Sequence, residues 1–283
     1  MRIDDSSSTE QAAELDTLNI DPVLSMRSIT KSFGPVHALR NVAFDVYPSE
    51  VVAIVGDNGA GKSTLAKILA GVHPQDAGSI TFEGVDVSIP DPTASRELGI
   101  ATVFQDLALC DNLDVVSNLF LGHEITHGVL DEEEMESRSL ELLRQLSARI
   151  PSVRVPVASL SGGQRQTVAI ARSLIGEPRV VILDEPTAAL GVAQTAEVLN
   201  LIERLRENGL GVVLISHNMA DVQAVADRVV VLRLGRNNGD FRIPDVSYEE
   251  IIAAITGATD NVVTRRAEAA RRSSPLEAED GTE

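Results

Sequence analysis

The sequence has one cysteine, Cys110, among 283 residues. A lone thiol cannot close an internal disulfide. It fits a reducing compartment and a small, partly buried residue better than a reactive thiol. Long hydrophobic runs are also missing: no apolar stretch approaches the roughly 20 residues that a membrane-crossing helix needs. A soluble chain is expected, with any membrane role exercised through a partner. Basic residues are scarce. Lys and Arg number 24 against 42 Asp and Glu, a formal charge of −18. Such a surface repels phosphate backbones and anionic lipid headgroups. It argues against nucleic-acid binding but leaves room for one nucleotide in a local pocket. The first residues lack the basic start and apolar core of a secretory leader.

What is present is enough for a sizeable core, since 43% of the residues are hydrophobic. Residues 1–21 and 258–283 are polar and poor in large apolar groups, and are expected to be disordered tails around a domain at 22–257. Within that domain the apolar runs are short: Val51–Val55, Val180–Leu183, Val212–Ile215 and Val229–Leu232. They read as buried strands. Val23–Thr30 and Asn41–Tyr47 alternate weakly, as antiparallel strands do, and Ser79–Phe82 and Ile100–Phe104 are further candidates. Helical patterns fall between them, at Lys62–Leu69, Val192–Arg206, Asp221–Ala226 and Tyr248–Ile255. Asp131 with Glu134, and Ser247 with Glu250, have capping-box spacing. Met135, Leu142 and Leu146 would share one helix face. The alternation predicts an α/β fold, a mostly parallel sheet with helices on both faces. A helix-rich stretch, about 106–173, reads as an inserted subdomain.

Three motifs carry chemistry. Gly56-Asp57-Asn58-Gly59-Ala60-Gly61-Lys62-Ser63 follows an apolar strand and opens a helix. It fits the phosphate-loop pattern, in which backbone N–H groups and a helix N-terminus cradle phosphate. Lys62 would reach the β- and γ-phosphates, Ser63 would ligate Mg²⁺, and Thr64 belongs to the same cradle. Asp184 and Glu185 end an apolar strand. Asp184 is placed to hold Mg²⁺, and Glu185 to orient or deprotonate the attacking water. Leu160-Ser161-Gly162-Gly163-Gln164 precedes a helical run. Ser161 and two glycines there could be an ordinary N-cap or a second anion site, and a second site makes sense if it closes on a partner's ATP.

With these motifs in this order, the chain resembles the ABC ATPase family over about residues 22–257. The resemblance implies a P-loop NTPase, RecA-like parallel core with an N-terminal antiparallel β subdomain and an inserted α-helical subdomain. It further implies that Gln105 is the Q-loop glutamine, contacting Mg²⁺ and sensing the γ-phosphate. His217 resembles the switch histidine that holds the γ-phosphate and water, and Phe33 the aromatic that stacks on adenine. Ser161, Gly162, Gly163 and Gln164 resemble the signature that meets the partner's ATP. The implied function is ATP hydrolysis in a homodimer at the cytoplasmic face of the inner membrane, coupled to a transmembrane permease. One departure stands out: Gly191 occupies the position where the family usually has the D-loop aspartate. Asp106–Gly122, Thr187–Val192 and Ile215–Met219 resemble monosaccharide importers of the ribose, xylose and fructose type. That adds an extracytoplasmic sugar-binding protein as an expected partner. The segment from Asp106 to about Gly128 is expected to form the groove for the permease's coupling helix, with Asn118–Leu121 along it.

Rival readings are weaker. His123-Glu124-Ile125-Thr126-His127 matches the zinc-protease helix, but Gly122 and Gly128 bracket it and β-branched Ile125 and Thr126 weaken a helix there. A GTPase would want an N-K-x-D motif, which is absent. An ABC exporter or a non-transport ABC ATPase is the remaining alternative.

Overall fold

The computed structural model describes residues 21–258. The expected disordered tails therefore lie, but for one residue each, outside the described residues. Two sheets build the molecule. One is four-stranded and antiparallel, in the order β2-β1-β4-β5, from β1 (Leu24–Phe33), β2 (Val36–Val46), β4 (Ala77–Phe82) and β5 (Val85–Val87). The other is six-stranded, in the order β10-β9-β3-β8-β7-β6. It comprises β3 (Val51–Val55), β6 (Ile100–Val103), β7 (Val180–Asp184), β8 (Gly211–Ile215), β9 (Arg228–Arg233) and β10 (Arg236–Arg242). All its neighbours run parallel except the β9–β10 hairpin at one edge.

The apolar runs become the central strands because both faces of this sheet are covered. In β3, Val51, Ala53 and Val55 enter one core cluster, whereas Val52 and Ile54 enter the other. The first cluster packs under α5 (Gly162–Ser173), α6 (Val192–Glu207), α7 (Met219–Val225) and α8 (Tyr248–Thr256). The second packs against α1 (Lys62–Leu69) and the inner face of the antiparallel sheet.

The helix-rich insertion is less continuous than the sequence suggests. It holds α3 (Val115–Phe120), α4 (Glu132–Gln145), a 3₁₀ turn (Val157–Ser159) and α5, separated by irregular chain. Two details correct the sequence reading. Asp131 caps α4 by accepting from the Glu134 N–H at 3.0 Å, but the reciprocal half of the capping box is missing. The Glu134 carboxylate turns instead to Arg138 at 2.5 Å and His127 at 3.5 Å. The buried face of α4 is Met135, Ser139 and Leu143, with Leu146 just beyond, so Leu142 sits at its margin. The capping box at Ser247 and Glu250 forms in full. A short helix, α2 (Pro92–Glu97), capped by Asp91, completes the set.

Candidate active site

The parallel register fixes where the functional side chains gather. Ile54 pairs with Ile215, Ile215 with Asp184, and Leu183 with Val103. The carboxyl ends of β3, β8, β7 and β6 are therefore level. Gly56, Ser216, Glu185 and Phe104 all leave the sheet at one edge, which is where ligands bind in open α/β sheets.

From β3 the chain turns through Gly56–Gly61 into α1. Here glycine is required by both backbone and neighbours. Gly56 has φ +148°, and a Cβ on it would lie 2.1 Å from the Leu232 carbonyl oxygen. Gly61 has φ +110°, and its Cβ would meet Leu39 and the Ala38 carbonyl at 2.6 and 2.8 Å. The loop is braced from behind by the β9–β10 turn, where the Gly235 N–H donates to Ala60 O at 3.1 Å. No side chain caps α1, and its first turn holds no acid. Its leading N–H groups and positive dipole end are thus left for an anion. Lys62 is 9% exposed, and its ammonium donates to the carbonyls of Gly56 at 2.7 Å and Asp57 at 3.1 Å. The cation is held inside the cradle where Ser63 and Thr64 follow.

At the end of β7, Asp184 and Glu185 stand side by side. Burial, then the Glu185 charge, raises the Asp184 pKa above its ordinary value, while Lys62 and Lys67 oppose the rise. Glu185 has φ +53°, a left-handed conformation that costs a non-glycine residue about 1–3 kcal/mol. Neighbouring bonds hold it there. Its N–H donates to Ile215 O at 2.9 Å, and two residues on, the Thr187 hydroxyl donates to the buried Asp221 carboxylate at 2.6 Å. His217, after β8, places Nδ1 2.8 Å from Glu185 Oε2. Its ring is mostly exposed, while the Glu185 carboxylate is mostly covered. Gln105 lies two residues beyond β6 at the same edge and is exposed. Phe33 ends β1 and remains 43% exposed despite its size, with His73 edge-on at 5.2 Å and Lys31 Nζ 5.5 Å from the ring centre.

The Leu160–Gln164 segment stands apart, at the start of α5. Ser161 caps the helix: its Oγ accepts from the Gln164 N–H at 3.3 Å, and Gln164 Oε1 accepts from the Ser161 N–H at 3.0 Å. The cap is therefore satisfied inside the chain. What the segment has left to offer outward is the hydroxyl and the first-turn N–H groups of Gly162 and Gly163, which have no intrahelical acceptor. Gly191 begins α6 with ordinary extended dihedrals, and a Cβ there would meet open space. No backbone constraint explains glycine at that position.

One further expectation holds and one changes. The segment at 123–127 is not helical. His123 turns toward Arg96 at 3.4 Å, while His127 pairs with Glu134 and lies 3.9 Å from Asp131. The two histidines do not share a helix face, and the zinc-protease reading ends there. Asn118, expected along the permease groove, is wholly buried. It accepts from the Cys110 N–H at 2.7 Å and donates to the carbonyls of Cys110, Leu113 and Asp114. It organises the preceding loop and faces no partner. A groove of about 620 Å³ does exist, lined from the expected segment by Leu107, Leu121 and His123 and from outside it by Val72, Arg96, Phe104 and Arg172. Arg172 crosses from α5 to the Leu107 and Ala108 carbonyls at 2.7 and 2.8 Å and ties that helix to the chain that leaves β6.

Comparison with known proteins agrees with this geometry. The family model described as "ABC transporter" matches residues 39–188. The xylose/arabinose import ATP-binding protein XylG of Sulfolobus acidocaldarius is 43% identical over 235 residues, covering 83% of this chain and 94% of that protein. The fructose import ATP-binding protein FrcA of Rhizobium meliloti is 43% identical over 249 residues, covering 85% and 96%. Among solved structures, a dimeric post-hydrolysis state of the ATP-binding cassette MJ0796, bound to ADP and Pi, superposes with a TM-score of 0.66 at 26% identity, covering 78% of this chain and 98% of that one.

Proposed function

The chain belongs to the ABC transporter family, and on that premise we propose that it is the ATP-hydrolysing subunit of a monosaccharide importer, acting as a homodimer beneath a separate permease. The observation that carries the reading is the alignment of four strand ends. It puts the phosphate loop, the Asp184–Glu185 pair, His217 and Gln105 on one edge of the sheet. Identity to two sugar-import subunits over nearly their whole length supports the monosaccharide assignment.

ATP phosphates would enter the loop, with Lys62 exchanging its carbonyl partners for the β- and γ-phosphates. Phe33, kept exposed at the end of β1, is the surface for the adenine ring. The residues fit a divalent cation. The Ser63 hydroxyl, the Asp184 carboxylate and the Gln105 side-chain oxygen are hard oxygen donors of the kind Mg²⁺ selects. Bound there, Mg²⁺ would neutralise charge on the transferred phosphoryl group. Glu185 orients the attacking water and accepts its proton, and His217 holds Glu185 at 2.8 Å and reaches toward the γ-phosphate.

In one copy the phosphate loop opens α1, whereas the signature opens α5. Ser161 and Gly163 of a second copy would close the ATP site. The solved cassette of the same fold is a dimer bound to ADP and Pi. No described helix is long and apolar enough to cross a membrane. The subunit would therefore sit on the membrane's cytoplasmic face through its permease, with a sugar-binding protein delivering substrate from the far side.

The test is Glu185→Gln. Hydrolysis should fall by about 10²–10⁴-fold, the usual weight of a positioned general base. Saturating Mg-ATP should then hold the protein as a dimer in size-exclusion chromatography. A variant that stays monomeric beside its permease overturns the sandwich. Reconstituted permease and binding protein that accumulate no monosaccharide with ATP overturn the import assignment.

A further inference from the structure

Gly191 raises a structural question. The D-loop position has no side chain, and nothing in the fold demands glycine there. A carboxylate contact across the dimer is thus unavailable from this residue. The segment around it is nonetheless tightly built. After Glu185, the Ala188 N–H donates to Glu185 O at 3.1 Å and the Leu190 N–H to Thr187 O at 3.2 Å. These successive turns run from Glu185 to Leu190, next to Gly191 at the start of α6.

That segment is seated directly on the signature of the same copy. A Cβ added to Gly162 would lie 3.1 Å from the Leu190 side chain. One added to Gly163 would lie 3.0 and 3.3 Å from Cβ and Cγ of Gln194. Gly162 therefore faces Leu190 of the turn, and Gly163 faces the first turn of α6, with no room to spare. Gln194 has a second contact: its Oε1 accepts from the Gly191 N–H at 3.3 Å. A single side chain thus holds the backbone at Gly191 with its amide and the backbone at Gly163 with its stem.

We propose that Gln194 is a positioning residue that couples the two hydrolysis sites from inside each copy, by linking the Glu185–Gly191 turn to the Ser161–Gln164 signature. The inference rests on the reading that this signature completes the site on the second copy. Glu185–Gly191 belongs to the copy's own ATP, and Ser161–Gln164 to the other one. A shift at Glu185 on hydrolysis would displace Leu190 and Gln194, and with them the signature that clamps the partner copy's nucleotide. Packed elements with no slack transmit such shifts rather than absorb them.

Three substitutions separate the contacts. Gln194→Glu keeps both the stem and an acceptor for the Gly191 N–H. Gln194→Met keeps the stem alone, and Gln194→Ala keeps neither. The readouts are the ATP dependence of hydrolysis by the assembled transporter, ATP affinity of the isolated subunit, and thermal unfolding. For two coupled sites the wild type and Gln194→Glu should give a Hill coefficient approaching about 2, and Gln194→Ala one near about 1. Gln194→Met should fall between them. ATP affinity of the isolated subunit should be unchanged in all three, because no proposed ATP ligand is touched. Cooperativity that survives in Gln194→Ala overturns the inference, as does a wild type that dimerises with ATP yet hydrolyses without cooperativity. Loss of cooperativity together with isolated-subunit ATP affinity or folding would mark a merely structural residue and also overturns it. A wild type and Glu185→Gln that both fail to dimerise with Mg-ATP would instead overturn the underlying homodimer reading.

Discussion

Asp184 sits at the end of β7 beside Glu185, where burial and that second carboxylate raise its pKa above the ordinary carboxylate range. The sign of the consequence is fixed by linkage. A carboxyl with a raised folded-state pKa binds its proton more readily in the folded chain. Its favourable contribution is present below the unfolded pKa and is lost as pH rises through the folded value. At neutral pH the ionised Asp184 therefore weighs against folding until a cation arrives. Asp184→Asn removes that charge at nearly constant shape. In thermal unfolding without nucleotide it should raise the midpoint at neutral pH, and the difference from wild type should shrink as pH falls into the carboxylate range. Mg-dependent hydrolysis should meanwhile drop by about 10²-fold or more, the scale of a lost electrostatic contact to the transition state. An unchanged midpoint, or one that falls, would show that the carboxylate is well solvated. Residue identities in this site were legible because the phosphate loop and the apolar strand ending in acids have characteristic composition. The left-handed Glu185, by contrast, comes from the turn that follows β7, and nothing in the residue type announces it.

Between elements, a buried charge interaction gathers at the end of β3 opposite the phosphate loop. Arg228, at the start of β9, is 7% exposed. Its guanidinium donates to Glu50 at 2.7 Å, to Asp240 on β10 at 2.9 Å and to the Asp45 carbonyl on β2 at 2.7 Å. Burial opposes its charge, but the carboxylates of Glu50 and Asp240 outweigh that and raise its pKa. Three strands and the β2–β3 connection meet on one cation. Arg228→Ala should cost about 3–5 kcal/mol in urea unfolding, because the mostly covered Glu50 carboxylate keeps only the Tyr47 N–H and loses its cation. A loss under about 1 kcal/mol, the scale of an exposed pair, would mean that water reaches the site. None of these partners is near Arg228 in sequence except Asp240, so the cluster is invisible before folding. The same limit explains the missed elements. β10 is polar but for Phe241 (RNNGDFR) and is a strand only because β9 supplies its ladder. By contrast β3, β7, β8 and β9 were readable to within about a residue, since a sheet covered on both faces leaves continuous Val, Ile and Leu runs. In α4 the sequence placed the helix correctly but not its face. The apolar positions Leu142 and Leu143 are adjacent, and the core buries Leu143 in line with Met135 and Ser139 while Leu142 stays at its margin.

For the whole molecule, the problem is how ATP chemistry at one sheet edge reaches a permease. The groove of about 620 Å³ lies between the insertion and the β6 edge of the large sheet, and Phe104, Leu107 and Arg172 line it. Gln105 falls between two of those residues, so the chain proposed to sense the γ-phosphate also forms the groove wall. The proposed docking surface excludes Asn118–Phe120, which are buried and would unfold the insertion if replaced by charge. Leu121 and Val72 are each 44% exposed and open into the groove, as an apolar contact for an amphipathic helix requires. Leu121→Glu and Val72→Glu should therefore lower ATP-driven sugar uptake in the reconstituted complex by roughly tenfold or more, the loss of one buried apolar anchor. Hydrolysis by the isolated subunit and its unfolding midpoint should hardly move, since neither side chain reaches the phosphate loop or the core. Uptake that persists in both variants would place the permease contact elsewhere on the surface. Hydrolysis that falls in step with uptake would show that the groove shapes the ATP site itself, so that docking and chemistry are not separable.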